Sequence, residues 1–158
     1  MTGVVERVES GKGTICRDVL LALPQWFGLP QAISQYTTDV EQWPMFGLRM
    51  DGAMVGFLSL KFHTRAAAEA YVLGIRRPWQ RRGGGKLLFA AAEAECRSAG
   101  VNLLTVKTLA ASHPDRFYAR TRAFYRAIGF VPLEVFPTLW GADHPCLMMI
   151  KLLQPAPA

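Results

Sequence analysis

Five cations, Arg76, Arg77, Arg81, Arg82 and Lys86, crowd around three consecutive glycines, Gly83, Gly84 and Gly85. An apolar stretch precedes this cluster and an alanine-rich one follows it, so the chain here turns out of a strand into a helix. Such a turn aims unpaired backbone N–H groups at one spot, and the helix dipole adds partial positive charge there. Phosphate oxygens are the natural ligand. Glycine lets the main chain approach that ligand closely and take positive φ without a Cβ penalty. A Walker A loop requires GxxxxGK[ST], but the position five before Gly85 is Gln80, and Leu87 follows Lys86. A dinucleotide GxGxxG also fails, because the residue three past Gly85 is Leu88.

The elements that must carry this loop are readable from periodicity and breakers. Val4–Val8 reads as a strand. Residues 14–23 read as a helix stopped by Pro24, and residues 30–43 as a second helix opened by Pro30 and ended by Pro44. Residues 46–50, the Asp51-Gly52 turn and residues 53–62 make a hairpin. A third strand covers residues 69–75 after a turn at 63–67. A helix over 85–99 is followed by Gly100, a strand by 102–107, and a helix over 116–128 is stopped by Gly129. Strands at 130–135 and 146–152 complete the order βααβββαβαββ, which is that of a single mixed α/β domain.

Composition agrees with one folded unit. The 158 residues are 51% hydrophobic and 19% charged, far from the composition of a disordered chain. The longest apolar runs are too short for a bilayer, so no membrane partner and no signal peptide are expected. Cys16, Cys96 and Cys146 are odd in number, widely spaced and without a CxxC pair, which reads as reduced thiols in a cytoplasmic protein with no metal site. The net charge is +6, and thirteen of the eighteen basic residues are arginine, suited to bidentate phosphate contact. A nucleic-acid surface would interleave arginines with exposed aromatics, whereas the densest basic cluster coincides with the glycine loop. No nucleic-acid partner is expected.

Gln80, Gly83 and Gly85 stand at the positions of a [QR]xxGx[GA] loop between strand and helix, and residues 123–130, Ala-Phe-Tyr-Arg-Ala-Ile-Gly-Phe, resemble an FYxxxGF segment. In both respects, and in the two N-terminal helices and three-strand meander, the chain resembles the GCN5-related N-acetyltransferase (GNAT) superfamily. The resemblance implies one N-acetyltransferase domain over residues 1–158, with a twisted, mostly antiparallel sheet splayed at the cofactor site and flanked by helices. It implies acetyl-CoA as acetyl donor, an amine as acceptor, direct attack in a ternary complex, and no metal. It leaves room for a homodimer. Gln80, Arg81, Arg82, Gly83, Gly84, Gly85 and Lys86 would hold the pyrophosphate. Leu73 and Ile75 would offer backbone N–H groups to the acetyl oxygen and pantetheine arm, with Gly74 between them compatible with a bulge.

The same resemblance supplies the chemistry. Tyr125 occupies the position of the tyrosine that protonates the departing thiolate; a thiol of pKa about 8.5 and a phenol of about 10 suit that exchange. Glu69 lies eleven positions before Gln80, where the histone-acetylating branch carries its catalytic glutamate, and would draw the proton from the amine. By strand alternation Glu69 shares a face with Tyr71, Leu73 and Ile75. On the last helix, Phe117, Thr121, Phe124 and Ile128 form a core stripe, and Tyr118, Arg122 and Tyr125 line up as a face onto the cofactor. Tyr118 stands where many members carry an asparagine, and its hydroxyl would replace that hydrogen bond. His63, His113 and His144 read as structural. Two other readings stay open: an acyl-CoA-binding regulatory domain without turnover, and a protein (lysine or N-terminal) acetyltransferase in place of a small-molecule one.

Overall fold

A computed structural model describes residues 3–155. The elements are β1 (Val4–Val8), α1 (Lys12–Leu21), α2 (Pro30–Asp39), β2 (Met45–Met50), β3 (Ala53–Phe62), β4 (Ala67–Ile75), α3 (Gly84–Ser98), β5 (Leu103–Leu109), α4 (Arg116–Ala127), β6 (Val131–Phe136) and β7 (Cys146–Leu152). The order matches the sequence reading, and the differences at element ends have local causes. Pro24 disfavours helical backbone at Leu23, so α1 closes at Leu21. The second helix tightens into a 3-10 turn at Val40–Gln42 instead of running on to Trp43. Asp115 caps α4, its carboxylate accepting from Phe117 N at 2.8 Å and Tyr118 N at 3.1 Å.

All seven strands form one sheet in the order β1-β2-β3-β4-β5-β7-β6. Every pairing is antiparallel except β4 with β5, which the α3 crossover makes parallel. That parallel pairing is short: Ala67, Ala68 and Glu69 match Leu103, Leu104 and Thr105, and no further pairs form. Beyond Glu69 the two strands diverge, and β4 stays paired only on its β3 side, out to Ile75. The sheet is therefore splayed at its centre.

A bulge accompanies the splay. Ser59 pairs with Val72 but Leu60 pairs with Ala70, which leaves Tyr71 as an extra residue in β4. An extra residue bends and twists its strand and shifts side-chain alternation by one. Ala68 and Ala70 face α3 before the bulge, and Leu73 and Ile75 face it after; Tyr71 and Val72 both join the apolar cluster of α1 and α2. This corrects the expected shared face: Glu69 and Tyr71 lie on one side of the sheet, Leu73 and Ile75 on the other. Gly74 is not the bulge. A Cβ there would sit 2.8 Å from Leu23 Cδ1 and 3.2 Å from Val19 Cγ1, so this glycine lets the N-terminal helical region lie close on β4.

Two cores result. Between the sheet and α3/α4 pack Leu58, Leu60, Leu88, Phe89, Val106 and Phe130. Between the sheet and α1/α2 pack Val19, Leu20, Ile33, Phe57 and Val72.

Candidate active site

At the open end of the splay, β4 runs into the loop and α3. The loop begins with Arg76, whose N–H donates to Val55 O at 2.8 Å, and Gln80 Nε2 donates back to Ile75 O at 2.7 Å. Both bonds fold the loop against the end of β4. Gly83 is the N-cap of α3 with φ of 85° and offers no side-chain cap, so the first N–H groups of the helix stay open to a ligand. Its neighbours serve packing instead. A Cβ on Gly84 would collide with Leu48 Cδ2, and one on Gly85 would meet Phe124 Cζ at 2.7 Å. Arg81 takes a left-handed φ of 62°, a strained conformation for a residue with a Cβ. Arg81, Arg82 and Lys86 are exposed, and none pairs with a carboxylate among the described residues. Open N–H groups, a helix N-terminus and unpaired cations make a donor set that fits a pyrophosphate.

Leu73 and Ile75, half-buried, form the β4 wall beside this loop on the α3 side. Tyr125 lies on the same side, 5% exposed, its ring 5.9 Å from Phe89, 5.8 Å from Phe124 and 5.8 Å from Phe130. Burial, and then the neighbouring Tyr118, push its phenol well above the ordinary value, so it stays protonated. Arg122 is 6% exposed and donates to Leu109 O at 2.6 Å, tying α4 to the end of β5. The two stripes of α4 are thus weighted differently than alternation suggested: Arg122 and Tyr125 are its buried positions, while Phe117 and Phe124 are half-buried. Phe117 packs edge-on against Trp26 at 5.1 Å, and Phe124 rests over Gly85.

Tyr118 donates its hydroxyl to Trp26 O at 2.7 Å, and Trp26 Nε1 donates to Thr121 Oγ1 at 3.1 Å. The segment between α1 and α2 is thereby joined to α4, on the other side of the sheet. Burial, ahead of nearby Tyr36 and Asp115, raises Tyr118 well above the usual phenol value. Two shallow concavities, of about 440 and 540 Å³, run along α2 and between α1 and α2; neither includes Glu69, Tyr125 or the loop.

Glu69 stands apart, at the closed end of the splay and on the α1/α2 side. Its side chain is 3% exposed, and it accepts from His63 Nε2 at 2.7 Å and from Lys107 Nζ at 3.1 and 3.2 Å. Tyr71 donates to Asp39 of α2 beside it. Sequence reasoning took His63 as structural and passed over Lys107. The signal for Lys107 is its place in β5, the parallel partner of β4; that for His63 is the tight turn that brings a residue six positions back alongside Glu69.

The sequence profile of the Acetyltransferase (GNAT) family matches residues 19–130, from α1 to the end of the FYxxxGF-like segment. No curated protein is a detectable sequence relative. Among solved structures, a GNAT-family protein of Desulfovibrio desulfuricans superposes with a TM-score of 0.82 at 19% identity, covering 97% of this chain and 100% of that one. The ribosomal-protein-S18-alanine N-acetyltransferase of Escherichia coli gives 0.75 at 18%, covering 99% and 97%. An acetyltransferase of Elizabethkingia anophelis with acetyl-CoA bound gives 0.75 at 13%, covering 96% and 98%.

Proposed function

The chain belongs to the GNAT family of acetyltransferases, and from that premise we propose that it moves an acetyl group from acetyl-CoA to a primary amine of a small molecule, by direct attack in a ternary complex. The observation that carries this reading is the arrangement about the splay. A glycine loop with open N–H groups lies at its open end, a protonated phenol on one side of the sheet, and a carboxylate on the other.

Acetyl-CoA supplies an activated thioester. Gln80, Arg81, Arg82, Gly83, Gly84, Gly85 and Lys86 hold its pyrophosphate, through open N–H groups for the most part and through the basic side chains at the rim. Leu73 and Ile75, on the edge of β4 that β5 has left, orient the acyl end through their backbone. Tyr125 provides the proton for the thiolate; its burial in the Phe89, Phe124 and Phe130 cluster excludes water and keeps the phenol neutral. Tyr118, its hydroxyl hydrogen held by Trp26 O, offers the same arm only an acceptor. Glu69 provides the basic site on the acceptor side, where a cationic amine meets a carboxylate before it is deprotonated.

A small acceptor is favoured over a protein by the Trp26 segment. Two hydrogen bonds tie it to α4, so it bridges from the α1/α2 side to α4 and narrows the room for a protein chain there. Thiol release from acetyl-CoA across a panel of aminoglycosides, polyamines, amino acids and short peptides tests the reading. Small primary amines are expected to turn over at least about tenfold faster than peptides. A protein that binds acetyl-CoA but turns over peptides alone reverses the acceptor class, and failure to bind acetyl-CoA at micromolar concentration removes the whole reading.

A further inference from the structure

Glu69 is an awkward group to reach. Its side chain is 3% exposed, Oε1 is shared by His63 and Lys107, and Oε2 accepts from Lys107. Lys107, the cation of the pair, has no lone pair to receive a proton. His63 does. Its side chain is 38% exposed, and its Nε2 lies 2.7 Å from Glu69 Oε1. A carboxylate accepting at that distance fixes Nε2–H as the donor, which leaves the lone pair on Nδ1. Nδ1 has no partner among the described residues. We propose that His63 is the general base of the acetyl transfer, taking the amine proton on Nδ1 directly or through one water, while Glu69 is the positioning residue that holds its tautomer and stabilises the imidazolium. The inference rests on the acetyltransferase reading and moves the site of proton uptake one residue outward.

The surroundings support the division of labour. His63 leaves β3 at the turn into β4, with its N–H donating to Ala67 O, so its backbone is fixed by the hairpin. Lys61 on β3, directly opposite Glu69, turns its ammonium to the ring of Tyr71 at 5.0 Å. Lys107 on β5 bridges both carboxylate oxygens and fixes their plane. Tyr36 and Asp39 of α2 and Cys146 of β7 complete the titratable groups around Glu69. Of the groups bonded to the carboxylate, His63 is the most open to an acceptor. The step balances: the ammonium gives one proton to Nδ1 and on to water, the freed amine nitrogen forms its bond to the acetyl carbon, the bond to sulfur breaks as the thiolate takes the Tyr125 proton, and the second nitrogen proton returns to the Tyr125 phenolate.

The experiment measures thiol release from acetyl-CoA against pH, with the best amine of the panel, for wild type, H63A, H63Q and E69Q. The position is exposed, so both His63 variants should fold, as circular dichroism checks. H63A is expected to lose ~10²-fold in kcat/KM, to lose the acid limb of the wild-type profile, and to regain at least about tenfold with free imidazole at constant pH and ionic strength. H63Q is expected to behave as H63A does without imidazole. Nitrogen-15 spectra of wild type, above the acid limb, should show His63 as the Nε2–H tautomer. An H63A that keeps the wild-type rate, or that falls but keeps its acid limb and ignores imidazole, overturns the proposal and returns the role to Glu69 itself. An Nδ1–H tautomer overturns it as well. Wild type that turns over no amine refutes the transferase reading and the base with it, whereas turnover with an unaltered H63A profile refutes the base alone.

Discussion

The two sides of the sheet are built from different materials around the same gap. On the α3/α4 side the candidate acid is set in apolar rings: Tyr125 packs against Phe89, Phe124 and Phe130, and no carboxylate pairs with it among the described residues. On the α1/α2 side the candidate base is set in a polar cluster of Glu69, His63, Lys107, Tyr71 and Asp39. A neutral acid needs dry surroundings to stay protonated, and a charged base needs partners to stay ionised inside a protein. The difference teaches that the splay separates two protonation environments that would disturb each other on one surface.

Each side can be broken separately. The largest effect is expected from Phe89→Ala, which empties the centre of the aromatic cluster; urea unfolding should show a loss of about 3–5 kcal/mol. Tyr125→Phe removes only the hydroxyl, so the unfolding midpoint should hold while kcat falls ~10²-fold with the acetyl-CoA KM unchanged. Equal turnover in that variant removes Tyr125 from the chemistry. On the polar side, Glu69→Gln keeps an acceptor for His63 but loses the charge. Turnover should fall about tenfold, or ~1.4 kcal/mol, with acetyl-CoA affinity, measured by calorimetry, unaffected. A fall in affinity would mean that the two sides are not independent. Tyr71→Phe cuts the tie from β4 to α2, and thermal or urea unfolding should register about 1 kcal/mol.

The slightest effect at neutral pH belongs to the tyrosines themselves, and it sharpens the comparison at the alkaline end. Tyr125 and Tyr118 are raised chiefly by burial; Tyr71 is raised by burial and then by its bond to Asp39. A group whose folded pKa lies above its unfolded value contributes stability that is present below the unfolded value and lost as pH rises through the folded one. Unfolding free energy should therefore be level up to about pH 9 and decline above about pH 10, where the unfolded tyrosines ionise. Tyr71→Phe should soften that decline on the polar side alone.

Much of this was legible in the residues. The Asp51-Gly52 hairpin, the glycine loop and the element order follow from local signals, because turns, caps and periodicity are short-range. The parallel seam between β4 and β5 is not local. Its three pairs depend on how far α3 carries the chain, and the sequence of β5 reads the same whether it meets β4 over three residues or seven. The bulge at Tyr71 is equally silent, since Ala70-Tyr71-Val72 continues an unbroken strand pattern. That silence produced the misassigned face of Leu73 and Ile75. His63 read as structural for a related reason: a histidine beside a turn carries no chemistry until a strand brings a buried carboxylate to it.

That one unpaired residue in β4 works like a frameshift. Upstream of Tyr71 the strand is read in one phase, which places Glu69 on the α1/α2 side; downstream it is read in the other, which places Leu73 and Ile75 on the α3/α4 side. A strand of nine residues thereby presents its two halves to opposite surfaces. Substitution at Tyr71 alters a side chain, but its deletion would alter the phase. One residue fewer would bring Glu69 onto the same face as Leu73 and Ile75, so the separation of the two faces depends on the length of this strand.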